Sequence, residues 1–174
     1  YEIIDIIGSG SIGQVYKVRS KKTNQYHVMK VKHPNIESQV LLFKNMFKFI
    51  YNIKIFDNLF YKYFPFNLVD FLGDFYKQSD FINECNNLLE FYNLYKDNDY
   101  IIIPKLVKVS ETIMIMSYEE GISYEDSTLN KYEKYKLALL FGLFTRNNQH
   151  IFNHNHGDLH KGNWKIMEDD NNNH

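Results

Sequence analysis

Gly8-Ser9-Gly10-Ser11-Ile12-Gly13-Gln14-Val15-Tyr16-Lys17-Val18 lies between two β-like runs, and the element directly after its glycines decides the fold. Upstream, Tyr1 to Ile7 (Y-E-I-I-D-I-I) is apolar and β-branched, while downstream Gln14 to Val18 alternates as a second strand. The pattern Gly8-x-Gly10-x-x-Gly13-x-Val15 lets the backbone fold tightly and brings its N–H groups near an anion with no side chain in the way. A dinucleotide-binding turn needs a helix straight after the glycines; a strand there points to a hairpin that covers a phosphate. Glycines also serve bulges in ordinary hairpins, so the rest of the chain has to arbitrate.

Lys21 to Asn24 make a polar turn, and Gln25 to Lys32 (Q-Y-H-V-M-K-V-K) form the next strand. Lys30 lies 15 residues after Val15 and follows Val28-Met29, the place of the V-A-I-K lysine that meets the α- and β-phosphates in kinases. Most strand lysines are simply solvated. The apolar neighbours of Lys30 and its distance from the glycines favour the phosphate role. His33-Pro34 ends the strand. Ile36 to Tyr76 reads as one or two helices whose aromatics serve packing.

From Asp80 a helical period is clear: Phe81, Cys85, Leu88, Tyr92 and Tyr95 form one apolar stripe, with Ser79 or Asp80 as cap. Glu84, at the edge of that stripe, is placed to reach inward to Lys30, the ion pair that holds a phosphate-binding lysine; a solvated glutamate is the plainer alternative. Asp97 to Asp99 reads as a turn and Tyr100 to Ile103 as strand-like. Leu106 to Tyr118 reads as two strands around Ser110-Glu111. Glu119-Glu120-Gly121 then breaks the pattern where a hinge would meet an adenine, with Met116 and Tyr118 beside it. A second helix from about Asn130 carries Tyr132, Tyr135, Leu139, Leu143 and Phe144, an apolar face expected to support the loop after it.

That loop is H-G-D-L-H-K-G-N, His156 to Asn163, with Asp158 and Asn163 five residues apart. This is the spacing that puts a catalytic carboxylate and a metal-binding amide on one short segment. Asp158 is expected to orient the acceptor hydroxyl and take its proton, and Asn163 to hold magnesium, while His156 and His160 brace the loop. A zinc site fits less well, because H-x-D-x-H has no second His or Cys cluster and an amide oxygen suits magnesium better. Cys85 falls on a buried helix face and no serine stands in a nucleophile elbow, so covalent catalysis is not indicated.

With 174 residues, 44% hydrophobic and 24% charged, the chain can build one good core or two small lobes. A net charge of −1 with scattered lysines offers no field for nucleic acid, which is not expected as a partner. A lone cysteine excludes an internal disulfide. No apolar run approaches the roughly 18 to 20 residues of a membrane span. Tyr and Phe number 14 each against a single alanine, Ala138, a bias that makes single aromatics weak evidence.

Taken in order, S-G-S-I-G-Q-V-Y (Ser9 to Tyr16), V-M-K-V-K-H-P (Val28 to Pro34), D-F-I-N-E-C-N-N-L (Asp80 to Leu88), I-P-K (Ile103 to Lys105), M-S-Y-E-E-G (Met116 to Gly121) and H-G-D-L-H-K-G-N resemble the kinase-like domain of the UbiB/AarF atypical kinase family over nearly the whole chain. The resemblance implies an α+β, protein-kinase-like, two-lobed fold. An N-terminal antiparallel sheet with helices would occupy about 1–118, including a helical insertion at 36–76, and the start of a C-terminal lobe about 122–174. It implies Lys30 and Glu84 as ion pair, Asp158 as catalytic aspartate and Asn163 as metal ligand. Gly8, Gly10, Ser11, Gly13, Val15, Lys30, Met116 and Tyr118 would line a site for ATP and Mg.

The acceptor is an unknown phosphoryl acceptor. With no membrane-spanning run the chain is expected to be soluble and intracellular, and the family's link to ubiquinone and lipid homeostasis implies mitochondrial association and peripheral membrane or lipid contact. Three departures stand out. Glycines occupy positions 8, 10 and 13 where the family has an alanine-rich loop, its K-x-G-Q extension is expected before Tyr1, and its D-F-G aspartate is expected beyond M-E-D-D-N-N-N-H, with Asp169 and Asp170 too early to replace it. Two alternatives therefore stay open: an inactive pseudokinase or scaffold, bound by partners or lipid through the aromatic Phe43 to Phe75 region, and an aminoglycoside- or choline-kinase-like phosphotransferase, which shares H-G-D-L-H-x-G-N.

Overall fold

The computed structural model describes residues 1–51, 70, 72–73, 76–77, 79–153 and 159–167. His156 and Asp158, Asp169 and Asp170, and most of the 52–78 stretch with Pro65 and Phe75 lie outside the described residues.

Among the described residues, β1 (Glu2–Ser9), β2 (Gly13–Arg19), β3 (Tyr26–Lys32), β4 (Leu106–Val109) and β5 (Ile113–Ser117) form one antiparallel sheet in the order β1-β2-β3-β5-β4. The turn expected at Lys21 to Asn24 closes on itself: Asn24 N–H donates to the Ser20 carbonyl at 2.8 Å, and Asn24 takes φ 59°, the left-handed region that asparagine tolerates. β1 is an edge strand with two register shifts, and Ile3, Ile4, Ile6 and Ile7 are all exposed. Such shifts break the flat edge that would otherwise pair with other chains.

Helix α1 (Ile36–Tyr51) follows β3, and helix α2 (Phe81–Tyr95) packs against β4 and β5. Of the two candidate caps, Asp80 starts α2: its carboxylate accepts from the N–H of Ile82 at 2.9 Å and of Asn83 at 3.4 Å. The apolar stripe of α2 buries Phe81, Cys85 and Tyr95. Phe81 and Cys85 meet Met114 of β5 in a core that Ile12, Leu88, Leu106, Val109 and Met116 surround. Burying a side chain such as Phe81 or Met114 contributes roughly 1.5–3 kcal/mol, so the contact that seats α2 on the sheet is also a main source of its stability.

The chain divides into two compact units, Tyr1–Tyr118 and Glu119–His174. In the second, helix α3 (Lys131–His150) opens with a capping box: Asn130 accepts from the N–H of Tyr132 and Glu133, and Glu133 accepts in return from the Asn130 N–H at 2.7 Å. Ile122 and Ile166 pair in both directions at 2.9 Å. That bridge fixes the segment after the 161–163 turn.

Two expectations are corrected. Tyr100 to Ile103 is not a strand: the N–H groups of Tyr100 and Ile101 are taken by Asn98 Oδ1 at 2.9 and 2.8 Å, and Tyr100 and Ile102 are exposed. An Asx turn has satisfied the backbone that a strand would have paired. The face of α3 formed by Tyr132, Tyr135, Leu139 and Leu143 is exposed, and Phe144 and Asn148 are the buried positions. Among the described residues no helix is long and apolar enough to cross a membrane.

Candidate functional site

Gly10 and Gly13 close the hairpin between β1 and β2, with the Gly10 N–H donating to the Gly13 carbonyl at 2.9 Å and Ser11 exposed at the tip. The three glycines are not equivalent. A Cβ on Gly13 would collide with the carbonyl oxygen of Val31, so β2 and β3 approach too closely there for any side chain. Among the described residues, a Cβ at Gly8 or Gly10 would meet nothing nearer than 3.7 and 3.8 Å. Packing against the protein therefore demands glycine at 13 and leaves open room at 8 and 10.

Residues directly opposite in antiparallel strands project to the same face. The register pairs Val15 with Lys30 and Lys30 with Met114, and Lys17 with Val28 and Val28 with Met116. One face of the sheet thus carries Val15, Lys17, Val28, Lys30, Met114 and Met116, the face that α2 covers in part.

On that face Glu84, in the first turn of α2, receives Lys30. The Nζ donates to both carboxylate oxygens at 2.7 Å, with the two side chains 22% and 35% exposed. The helix cap and the buried Phe81 fix where Glu84 stands, and the ring of Phe81 lies 5.1 Å from the Lys30 ammonium. The same ring lies 5.0 Å from Lys32 Nζ, which pairs with Glu37 at 2.6 Å. Phe81, read from sequence as a core residue only, is thus a cation–π platform for two lysines.

Met116 packs toward the Phe81–Cys85–Met114 core, opposite Val28. Tyr118 stands at the end of the first unit with its ring 6.4 Å from that of Tyr26. Lys17 Nζ lies 4.6 Å from the Tyr26 centroid and 4.1 Å from that of Tyr118, tying the last residue of the unit to β2. Sequence offered no signal for that contact beyond the spacing of two strands.

In the second unit the described part of the loop begins at Leu159. His160 caps the short 3-10 turn Lys161–Asn163: its Nδ1 accepts from the Gly162 N–H at 3.0 Å, and its carbonyl accepts from the Asn163 N–H at 2.9 Å. Asn163 is thereby held on a defined turn. Trp164 comes next, with its ring 4.6 Å from Phe141 of α3 and 5.9 Å from Tyr124. The structure thus brings Lys30 and Glu84 together and sets Val15, the cross-strand partner of Gly8, beside Lys30. Asn163 lies in the other unit, and Asp158 outside the described residues.

Cys85 is 4% exposed, and burial pushes its thiol above the ordinary value. A nucleophile needs the opposite shift. Among the described residues no three His, Cys, Asp or Glu side chains converge as a metal cluster.

Comparison with known proteins agrees with this architecture. A model of the ABC1 atypical kinase-like domain matches residues 4–173. The probable serine/threonine-protein kinase abkC of Dictyostelium discoideum is 27% identical over 171 residues, covering 96% of this chain and 25% of the relative. The chloroplastic protein ACTIVITY OF BC1 COMPLEX KINASE 1 of Arabidopsis thaliana is 26% identical over 183 residues, 94% of this chain and 25% of the relative. The chain thus spans about a quarter of the length of these curated relatives. The Mycobacterium tuberculosis protein Rv3197, solved in complex with erythromycin, matches with a TM-score of 0.69 at 19% identity, over 94% of this chain and 42% of that one. That likeness speaks to the fold alone.

Proposed function

Because this chain belongs to the ABC1 atypical kinase-like family, the UbiB/AarF group, we propose that it binds ATP with magnesium and takes part in phosphoryl transfer or ATP hydrolysis. The observation that carries this reading is the two-oxygen clasp of Glu84 on Lys30 at 2.7 Å, on the sheet face shared with Val15. An ammonium has three N–H donors. Glu84 engages it through two oxygens and orients it, leaving a donor for an oxygen of the α- or β-phosphate.

The donors of the first unit support a phosphate site. Gly8 and Gly10 have space above their backbone that no atom of the described residues fills within 3.7 Å, which supports room for a phosphate at the hairpin. Asn163, in the second unit, carries a hard amide oxygen of the kind magnesium accepts. When bound, the metal supplies charge neutralisation to the phosphates. The chain's own residues do the rest: the hairpin and Lys30 hold the phosphates, Val15 and Met116 flank the base, and Asp158 orients the acceptor hydroxyl and receives its proton.

The reading is tested by turnover. The full-length protein should consume ATP in the presence of magnesium, and Asp158→Ala should lower the rate by roughly 10² to 10⁴ while leaving nucleotide binding intact. Nucleotide bound without any turnover dependent on Asp158 would favour the pseudokinase alternative.

A further inference from the structure

We propose that His33 is a positioning residue of the nucleotide site, holding the glycine hairpin with its amides turned outward; the proposal rests on the nucleotide reading above. His33 meets the hairpin twice. Its Nε2 lies 3.0 Å from the Gly10 carbonyl oxygen, and its backbone N–H donates to the Ile12 carbonyl at 2.9 Å. A carbonyl only accepts, so Nε2 carries the proton in this contact.

The two contacts act on alternate peptide units of the turn. A trans peptide is planar, with its C=O and N–H pointing opposite ways. Fixing the Gly10 carbonyl toward His33 therefore turns the Ser11 N–H away from it, and fixing the Ile12 carbonyl does the same for the Gly13 N–H. An anion needs N–H groups presented and carbonyls withdrawn, and glycine peptides flip more readily than any others. The tether opposes that freedom.

Its base is rooted in the sheet. Lys32, one residue before, donates its N–H to the Thr112 carbonyl at 2.9 Å, and Pro34, one residue after, restricts His33 to extended backbone. Asn35 then takes φ 61°, which sends the chain off toward α1. The imidazole thus reaches Gly10 from a strand end that has little freedom of its own.

The test compares His33→Phe, which keeps a ring and loses the donor, with His33→Gln, whose amide nitrogen can replace Nε2. Binding of MgADP and of adenosine is measured on the purified protein, together with amide exchange at Ser11 to Gly13. The Phe variant is expected to bind MgADP about fivefold more weakly, which at 1.4 kcal/mol per tenfold is about 1 kcal/mol. Its adenosine affinity should be unchanged and its hairpin amides should exchange faster. The Gln variant should stay within about twofold of wild type in all three.

Unchanged MgADP binding in the Phe variant overturns the role of His33 and leaves the nucleotide reading standing. An equal loss for adenosine and MgADP shows a merely structural role and also overturns it. A wild-type protein that binds neither ligand overturns both.

Discussion

Lys30 and Glu84 are 54 residues apart in sequence and 2.7 Å apart in space, with the lysine Nζ bridging both carboxylate oxygens. The pair joins the middle of the sheet to the first turn of α2. Because both side chains are partly exposed, at 22% and 35%, the contact should contribute roughly 1 kcal/mol or less to stability. Its larger consequence is orientation. Glu84→Gln should therefore lower the affinity for MgATP about tenfold while melting within a few degrees of wild type, as isothermal titration and thermal unfolding would show.

Asp80 supplies the cap that begins α2, four residues before Glu84. Asp80→Ala should cost about 1 kcal/mol, read as a lower denaturant midpoint with unchanged slope. Asp80→Asn keeps an accepting oxygen and should recover most of that loss.

Gly13 and Gly142 should respond to alanine with opposite signs. At Gly13 a Cβ would collide with the Val31 carbonyl oxygen, forcing β2 and β3 apart, and overpacking of that kind costs about 1–3 kcal/mol. Gly142 lies inside α3, where among the described residues a Cβ would meet nothing within 4 Å, so alanine there should add roughly 0.5–1 kcal/mol. Chemical denaturation of the two variants checks both.

Cys85 is buried against Phe81 and Met114, and burial raises its thiol above the ordinary 9.0. The folded state favours the protonated form, so this contribution to stability is complete below the ordinary thiol value and is lost as pH climbs through the raised one. Iodoacetamide at pH 8.5 should label native protein far more slowly than protein unfolded in urea. Equal rates would show that Cys85 is not enclosed.

The parts of this architecture that sequence reveals are those set by local geometry. The glycine hairpin is legible because a strand, not a helix, comes after Gly13. The Lys30–Glu84 contact is legible because one apolar stripe fixes which side of α2 faces the sheet, and Glu84 sits at its edge. Tyr100 to Ile103 misleads because β-propensity says nothing about a partner strand, and Asn98 satisfies the backbone first. The α3 face of Tyr132, Tyr135, Leu139 and Leu143 misleads for a related reason: periodicity identifies an apolar face and not what covers it. Phe81 beneath two lysines and Lys17 between two tyrosines depend on strand register, which no single segment encodes. His33 had one signal, its place in K-V-K-H-P, but its reach to Gly10 spans 23 residues and appears only in the fold.

In the proposed function Lys30, oriented by Glu84 on the sheet face it shares with Val15, holds the phosphates of a nucleotide. Calorimetric titration of MgATP into wild type and Lys30→Ala, both checked for intact folding, tests it most directly. Saturable binding by wild type that weakens at least tenfold in the variant is the predicted result. Equal affinities in the two proteins, or no binding by wild type, would contradict it.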